Sequence, residues 1–174
     1  MAGLILPYGK FSPVLAADVF IAPGAMVIGD VEIGEGSSIW YNAVVRGDVN
    51  YIRIGENTNL QDGAVVHGTS GGSPAIIGSN ITIGHNAVVH ACLIEDYCLI
   101  GMNSTVLDGA VVETGSMVAA GALVANGKRV KSGELWAGSP ARKMRELTPE
   151  ENEFIRQAAK GYRKLAREHA GSAP

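Results

Sequence analysis

The 174-residue chain has few aromatics (6%), little charge (18%) and only two cysteines, Cys92 and Cys98. Two cysteines at that spacing make neither a disulfide framework nor a zinc-binding C-x-x-C pair, and a reducing cytoplasm is the expected compartment. Basic residues are not in excess: 14 Lys plus Arg stand against 17 Asp plus Glu, a formal net charge of −3. Nucleic acid and anionic membrane surfaces both require a basic face, so neither is expected as a partner. No apolar run approaches the roughly 18 residues of a membrane span. The opening MAGLILPYGK lacks the basic start and long apolar stretch of a secretory signal. Disorder is excluded by a hydrophobic content of 47%, and the length suits one domain with a sizeable core.

What the chain does have is glycine, 23 of them, and many Val and Ile residues at a fixed period. Stepping by six from Ile21 gives Val27, Ile33, Ile39 and Val45. Restarts at Ile54, Ile77 and Ile94 carry the same step through Leu60 and Val66, through Ile83 and Val89, and from Ile100 to Trp136. Nineteen positions fall on this lattice and all but Trp136 are aliphatic. Four residues after most of them sits a small side chain, as at Ala25, Ala43, Ala64, Ala87, Ser104 and Ala110, and Gly follows directly at Gly34, Gly55, Gly78, Gly84 and Gly101. A helix would repeat near 3.6 and an ordinary strand at 2. A period of six fits a short strand plus a tight corner, with the aliphatic pointing inward and the small residues and glycines relieving the corner's crowding and unusual φ. Three such sides close a triangular coil, and about six coils at about 4.8 Å make a prism on the order of 30 Å tall. The expected fold is an all-β solenoid, a parallel β-helix of hexapeptide repeats.

The lattice slips in three places. Val45 to Ile54 is three residues long, Val66 to Ile77 five long, and Val89 to Ile94 one short. Insertions in a solenoid tend to map to loops on one functional face, and two of these slips directly follow a histidine-bearing strand. After Trp136 the pattern stops, and Pro140 ends regular pairing. The expected division is a β-helix over 1–141, a linker over 142–147 and a C-terminal α-helix over 148–170 packed along the solenoid. Thr148, Pro149 and Glu151 read as a capping box with proline at the first helical position. Phe154, Ile155, Ala158, Ala159, Tyr162, Leu165 and Ala166 form its apolar stripe, while its basic residues read as a solvated face. Gly161 suits a close approach, and Trp40 is expected to pack at an interface.

Of four histidines, three fall within 24 residues. His67 and His90 each follow an inward aliphatic on the same side of adjacent coils, so their backbones are expected about 4.8 Å apart. Two imidazoles so placed can share one ion at about 2.0–2.1 Å. His85 sits near a corner on a different side, so convergence of all three within one chain is awkward. A threefold trimer resolves this: His67 and His90 come from one chain and His85 from its neighbour, with an open fourth position for water. The plain alternative is that these are ordinary surface histidines. The lattice also puts Arg46 one coil below His67, with Asp48 two residues on, and Asp62 beneath His85, where a carboxylate would fix the tautomer. Arg46 and Asp48 read alone are a surface ion pair, and Gln61 and Asp62 a solvated corner.

The runs VVRGDVNYIRIGENTNLQDGAVVH, IGHNAVVH and IGMNSTVLDGA, spread over roughly residues 10–142, closely resemble the γ-class carbonic anhydrase family and its short-looped relatives. The resemblance implies a left-handed coil, a homotrimer, and a zinc ion, or iron or cobalt, held by His67, His85 and His90 across the subunit interface. It implies an intersubunit salt-bridge role for Arg46 and Asp48, and a hydrogen bond from Gln61 to the metal's water with Asp62 beside it. Asn59 matches a further active-site polar position, and Tyr162 is similar to a tyrosine that reaches the site from the terminal helix. The implied activity is reversible hydration of carbon dioxide by a metal-bound hydroxide. In this chain the loop GTSGGSPA has no charged residue and Val49 replaces an acid, so a built-in proton shuttle is not expected. Two other readings remain. Hexapeptide solenoids often act as acyltransferases that use acetyl-coenzyme A, and a metal-assisted thioesterase acting on coenzyme A thioesters is a variant of the metal-based chemistry. A non-catalytic metal-binding or scaffolding trimer is the third.

Overall fold

The computed structural model describes residues 3–171. The chain winds as a left-handed parallel β-helix followed by one α-helix, Pro149–Gly171. Each of three faces stacks seven strand segments, the first two faces sharing the long strands Met26–Ile33 and Val44–Ile54. The first runs from Leu4–Leu6 through Val65–His67 and Val88–His90 to Leu123–Val124. The second runs from Val14–Leu15 through Ala75–Ile77 to Arg129–Val130. The third runs from Phe20–Ile21 through Asn59–Leu60 and Thr82–Ile83 to Glu134–Gly138. Seven rungs exceed the six expected by one. The additional rung holds Ile5, in register with Val27, and Leu15, six residues before Ile21. The ten-residue interval between Ile5 and Leu15 hides this rung from a strict count of six.

The lattice aliphatics form the core. Seventeen of the nineteen are no more than 4% exposed, and the end members, Ile21 and Trp136, are half-buried against the same cluster. Each inward side chain stacks on its equivalent one rung away, as Ile83 does on Leu60 and Ile100. Corner geometry differs from the sequence expectation. The positive φ lies three residues after the aliphatic, at Asn42, Asn57, Asn80, Asn86 and Asn103 and at glycines such as Gly63 and Gly109. Asn and Gly are the residues that tolerate this region. The glycines directly after the aliphatic are needed for close approach: a Cβ on Gly101 would stand 2.4 Å from the Ala120 nitrogen of the next rung.

Two expected boundaries change. The long interval after Val45 is not a loop, because Val44–Ile54 is one continuous strand turning from the first face to the second. The segment expected as a linker is largely a strand, Ala141–Glu146, folded back antiparallel on Glu134–Gly138. The terminal helix starts as expected: Thr148 N–H donates to Glu151 Oε2 at 2.9 Å, and Glu151 N–H donates to Thr148 Oγ1 at 3.3 Å. It buries Ile155, Ala159 and Ala166 against the third face but leaves Phe154 exposed. Trp40 packs beneath this helix rather than at an interface, with Tyr162 and His169 edge-on at 5.3 and 5.1 Å. Tyr41 Oη and His169 Nδ1 are hydrogen-bonded at 2.8 Å, holding down the last turn. Gly161 has open space where its Cβ would be, so no close approach requires it. Among the described residues no helix is long and apolar enough to cross a membrane.

Candidate metal centre

The first face brings Arg46, His67 and His90 into one column, in register across three adjacent rungs. Alternation along these strands buries Val45, Val66 and Val89 and turns the following residue outward. The imidazoles meet with His67 Nδ1 3.2 Å from His90 Nε2. Each ring is also held on its other nitrogen: His67 Nε2 lies 2.9 Å from Asp48 Oδ1, and His90 Nδ1 lies 2.7 Å from Asp108 Oδ1. Thr69 Oγ1 donates to the second oxygen of Asp108, and Arg46 Nη1 to the second oxygen of Asp48.

These contacts assign the protons. An ionised carboxylate can only accept, so the ring nitrogen facing it carries the hydrogen, and the other nitrogen of a neutral imidazole carries a lone pair. With both rings neutral, two lone pairs face each other at 3.2 Å, an unfavourable contact unless a proton or cation lies between them. Two nitrogens each about 2.0–2.1 Å from one tetrahedral ion stand about 3.3–3.4 Å apart. The donor set, two neutral imidazoles backed by carboxylates, thus fits a zinc-like ion.

Both carboxylates suit that backing role. Burial opposes ionisation of Asp48, but hydrogen bonds from His67 and Arg46 prevail and hold its carboxyl below the usual range. For Asp108 the Thr69 hydroxyl is the strongest influence, followed by His90, and its carboxyl is also held low.

His85 stands apart, on the corner after Thr82–Ile83. Its Nδ1 lies 2.7 Å from Asp62 Oδ2, which sets a carboxylate beside the ring. The His85 backbone N–H donates to Gln61 Oε1 at 3.2 Å, and Gln61 Nε2 donates to Asn59 Oδ1 at 3.4 Å. Asn59 Nδ2 in turn donates to Thr82 Oγ1 at 2.9 Å. Asn59 and Gln61 are therefore both buried and oriented. Tyr162 faces the same corner across a groove of about 360 Å³ that is also lined by Gln61, His85, Met102, Met117 and Phe154. Burial, and then the charge of Asp62, push its phenol pKa up.

The single chain thus gathers the sequence-selected residues into two groups: Arg46, Asp48, His67 and His90 on one face, and Asn59, Gln61, Asp62, His85 and Tyr162 at another corner. Among the described residues, no group of three or more His, Cys, Asp or Glu is arranged to hold a metal ion. Within the chain Arg46 is ion-paired with Asp48 of the same strand. Asp108 and Thr69 were not singled out from sequence. The lattice did contain the signal for Asp108, because Val106 stacks on Val89 and places Asp108 beside His90.

The model of the bacterial transferase hexapeptide family (six repeats) matches residues 12–47. The chain is 54% identical over 164 residues to γ carbonic anhydrase 2, mitochondrial, of Arabidopsis thaliana, covering 91% of this chain and 59% of that protein. It is 48% identical over 152 residues to a probable carbonic anhydrase of Methanocaldococcus jannaschii, covering 87% of this chain and 95% of the relative. The solved structure of a hexapeptide transferase family protein from Anaplasma phagocytophilum superposes with a TM-score of 0.91 at 48% identity, covering 95% of this chain and 97% of that one. Against the plant mitochondrial relatives, the chain spans about three-fifths of their length.

Proposed function

This chain belongs to the γ-class carbonic anhydrase family, and from that premise we propose that it catalyses reversible hydration of carbon dioxide at metal sites shared between the subunits of a homotrimer. The observation that carries the reading is the approach of His67 Nδ1 to His90 Nε2 at 3.2 Å, each ring engaged by a carboxylate on its other nitrogen. His85, with its own carboxylate, is the third ligand, delivered by the neighbouring subunit. Zinc, iron or cobalt held by these three rings would supply Lewis acidity, bringing the ionisation of a water to about pH 7.

The chain's own residues do the rest. Asp48 and Asp108 hold the hydrogens of His67 and His90 away from the ligand nitrogens, and Asp62 sets its charge beside Nδ1 of His85. Gln61, locked by the His85 backbone and by Asn59, presents its remaining amide hydrogen and lone pair beside His85. This amide orients the attacking oxygen and the bicarbonate that leaves. Leu99, Met117 and Phe154 give the adjoining groove an apolar wall suited to carbon dioxide. The loop between His67 and Ala75 contains no ionisable side chain, so the proton leaves on a small buffer and the rate rises with buffer concentration.

Complementation tests the shared site. His85→Ala and His90→Ala are each expected to abolish stopped-flow hydration by the metal-loaded protein. Refolding the two variants together at equal amounts should restore about a quarter of the sites, because a site then needs its two halves from different protomers. No recovery on mixing, or full activity of either variant alone, would refute the proposal.

A further inference from the structure

We infer that Asp108, anchored by Thr69, is the positioning residue that assigns the His90 proton to Nδ1 and leaves Nε2 as the nitrogen facing His67. The inference rests on reading His67 and His90 as metal ligands. Its geometry is a chain running out of the site. His90 Nδ1 donates to Asp108 Oδ1 at 2.7 Å, and the other Asp108 oxygen accepts from the Thr69 hydroxyl. Thr69 belongs to the segment that bulges between Val65–His67 and Ala75–Ile77. That bulge is tied to the solenoid, because Asn50 Nδ2 donates to the Thr69 carbonyl at 3.2 Å and to the Gly72 carbonyl at 2.9 Å. The second strand break in the repeat therefore carries a latch for the carboxylate behind His90.

The specific demand on Asp108 comes from the neighbouring dyad. Asp48 engages Nε2 of His67, so His67 presents Nδ1. Asp108 engages the opposite nitrogen, Nδ1, of His90, so His90 presents Nε2. If His90 moved its proton to Nε2, that hydrogen would point at His67 and occupy the space between the rings. Asp108 excludes this state, since both its oxygens are filled by donors and a carboxylate accepts only. The side chain is about one-third exposed and packs no core, so its substitution leaves the solenoid intact.

Two readouts test this. In the metal-free wild-type protein, nitrogen-15 NMR of the imidazoles should show His90 as the Nδ1–H tautomer. In Asp108→Asn that signature should give way to a tautomer mixture, and zinc affinity, measured by competition with a chromophoric chelator, should fall about 10–100-fold. Thr69→Val should lower zinc affinity in the same direction, and Thr69→Ser, which keeps the hydroxyl, should restore the wild-type value. Asp108→Asn with an unchanged His90 tautomer and zinc affinity within about twofold of wild type would overturn the inference, and failure of Thr69→Ser to rescue would remove Thr69 from it. His67→Ala and His90→Ala serve as controls on the ligand reading. If both bind zinc like wild type, that reading fails, while the tautomer measurement still decides the role of Asp108.

Discussion

Replacing Ile83 with alanine probes how much one inward side chain contributes to the solenoid. Ile83 is fully buried and lies between Leu60 and Ile100 on the rung that carries His85. The substitution removes three carbons, and at about 0.8 kcal/mol per buried CH₂ the lost transfer free energy is about 2.4 kcal/mol. The rungs above and below are fixed by backbone hydrogen bonds on all three faces, so the gap cannot close fully and a cavity term adds to this. The total should be about 4 kcal/mol, within the range of about 2–5 for such core truncations. For a chain of this size that lowers the melting temperature by about 8–16 °C. Ile5→Ala is the matched control, because Ile5 also sits on an inward column but on the first rung and is 49% exposed. Half the transfer term and no closed cavity make its cost about 1 kcal/mol. Urea unfolding followed by circular dichroism, at fixed protein concentration and without metal, measures both. Equal losses for the two variants, or a loss under about 1 kcal/mol for Ile83→Ala, would refute the view that the interior column carries the fold.

Three further outcomes follow from the packing. Burial pushes both cysteine thiols up to about 12, so the native protein should resist iodoacetamide at pH 8 and react at both sites once unfolded, as counted by mass spectrometry. Glu134 is buried, which opposes its ionisation, but donors from Lys143, Trp136 and the Lys131 backbone hold its carboxyl below the ordinary 4.5. A lowered folded value means the stabilisation is complete above about pH 4.5 and lost as pH falls through the folded value. The melting-temperature gap between wild type and Glu134→Gln should therefore be constant near neutrality and shrink below pH 4.5. Tyr41→Phe removes the hydrogen bond to His169 at a cost of about 0.5–1.5 kcal/mol, and faster amide exchange confined to the last turns of the terminal helix would show it.

The solenoid was legible in the sequence because one aliphatic per side recurs at a nearly constant interval, although off-lattice residues such as Val31, Ile52 and Ile81 share the core. Where the interval changes, legibility falls. The Ile5–Leu15 rung went uncounted, and the three-residue excess after Val45 read as an insertion although it lengthens a strand. Asn42, Asn57, Asn80, Asn86 and Asn103 each stand three after a lattice aliphatic, so the left-handed corner was written in the chain and attributed to the wrong column. The pairing of His67 with His90 followed from stacking, and so did the placement of Asp62 under His85. The Asp108–Thr69 contact needed the path of a bulge whose course no period sets. The clustering of Trp40, Tyr41 and His169 depends on where the terminal helix lands, and that docking is decided by side-chain shape rather than by repeat.

The antiparallel return of Ala141–Glu146 has a bearing on how the molecule stays discrete. A stack of parallel strands ends in a row of unsatisfied amides and carbonyls, an invitation for another chain to extend it. On the helix-covered face that invitation is withdrawn by the chain's own last strand, which runs the opposite way and carries Arg142, Lys143 and Arg145. The other two faces finish in strands only two residues long, one of them bearing Arg129 beside Lys128 and Lys131. The cylinder is thus plugged at that end against growth into a fibre, and unpeeling the final hairpin would be the step that exposes it.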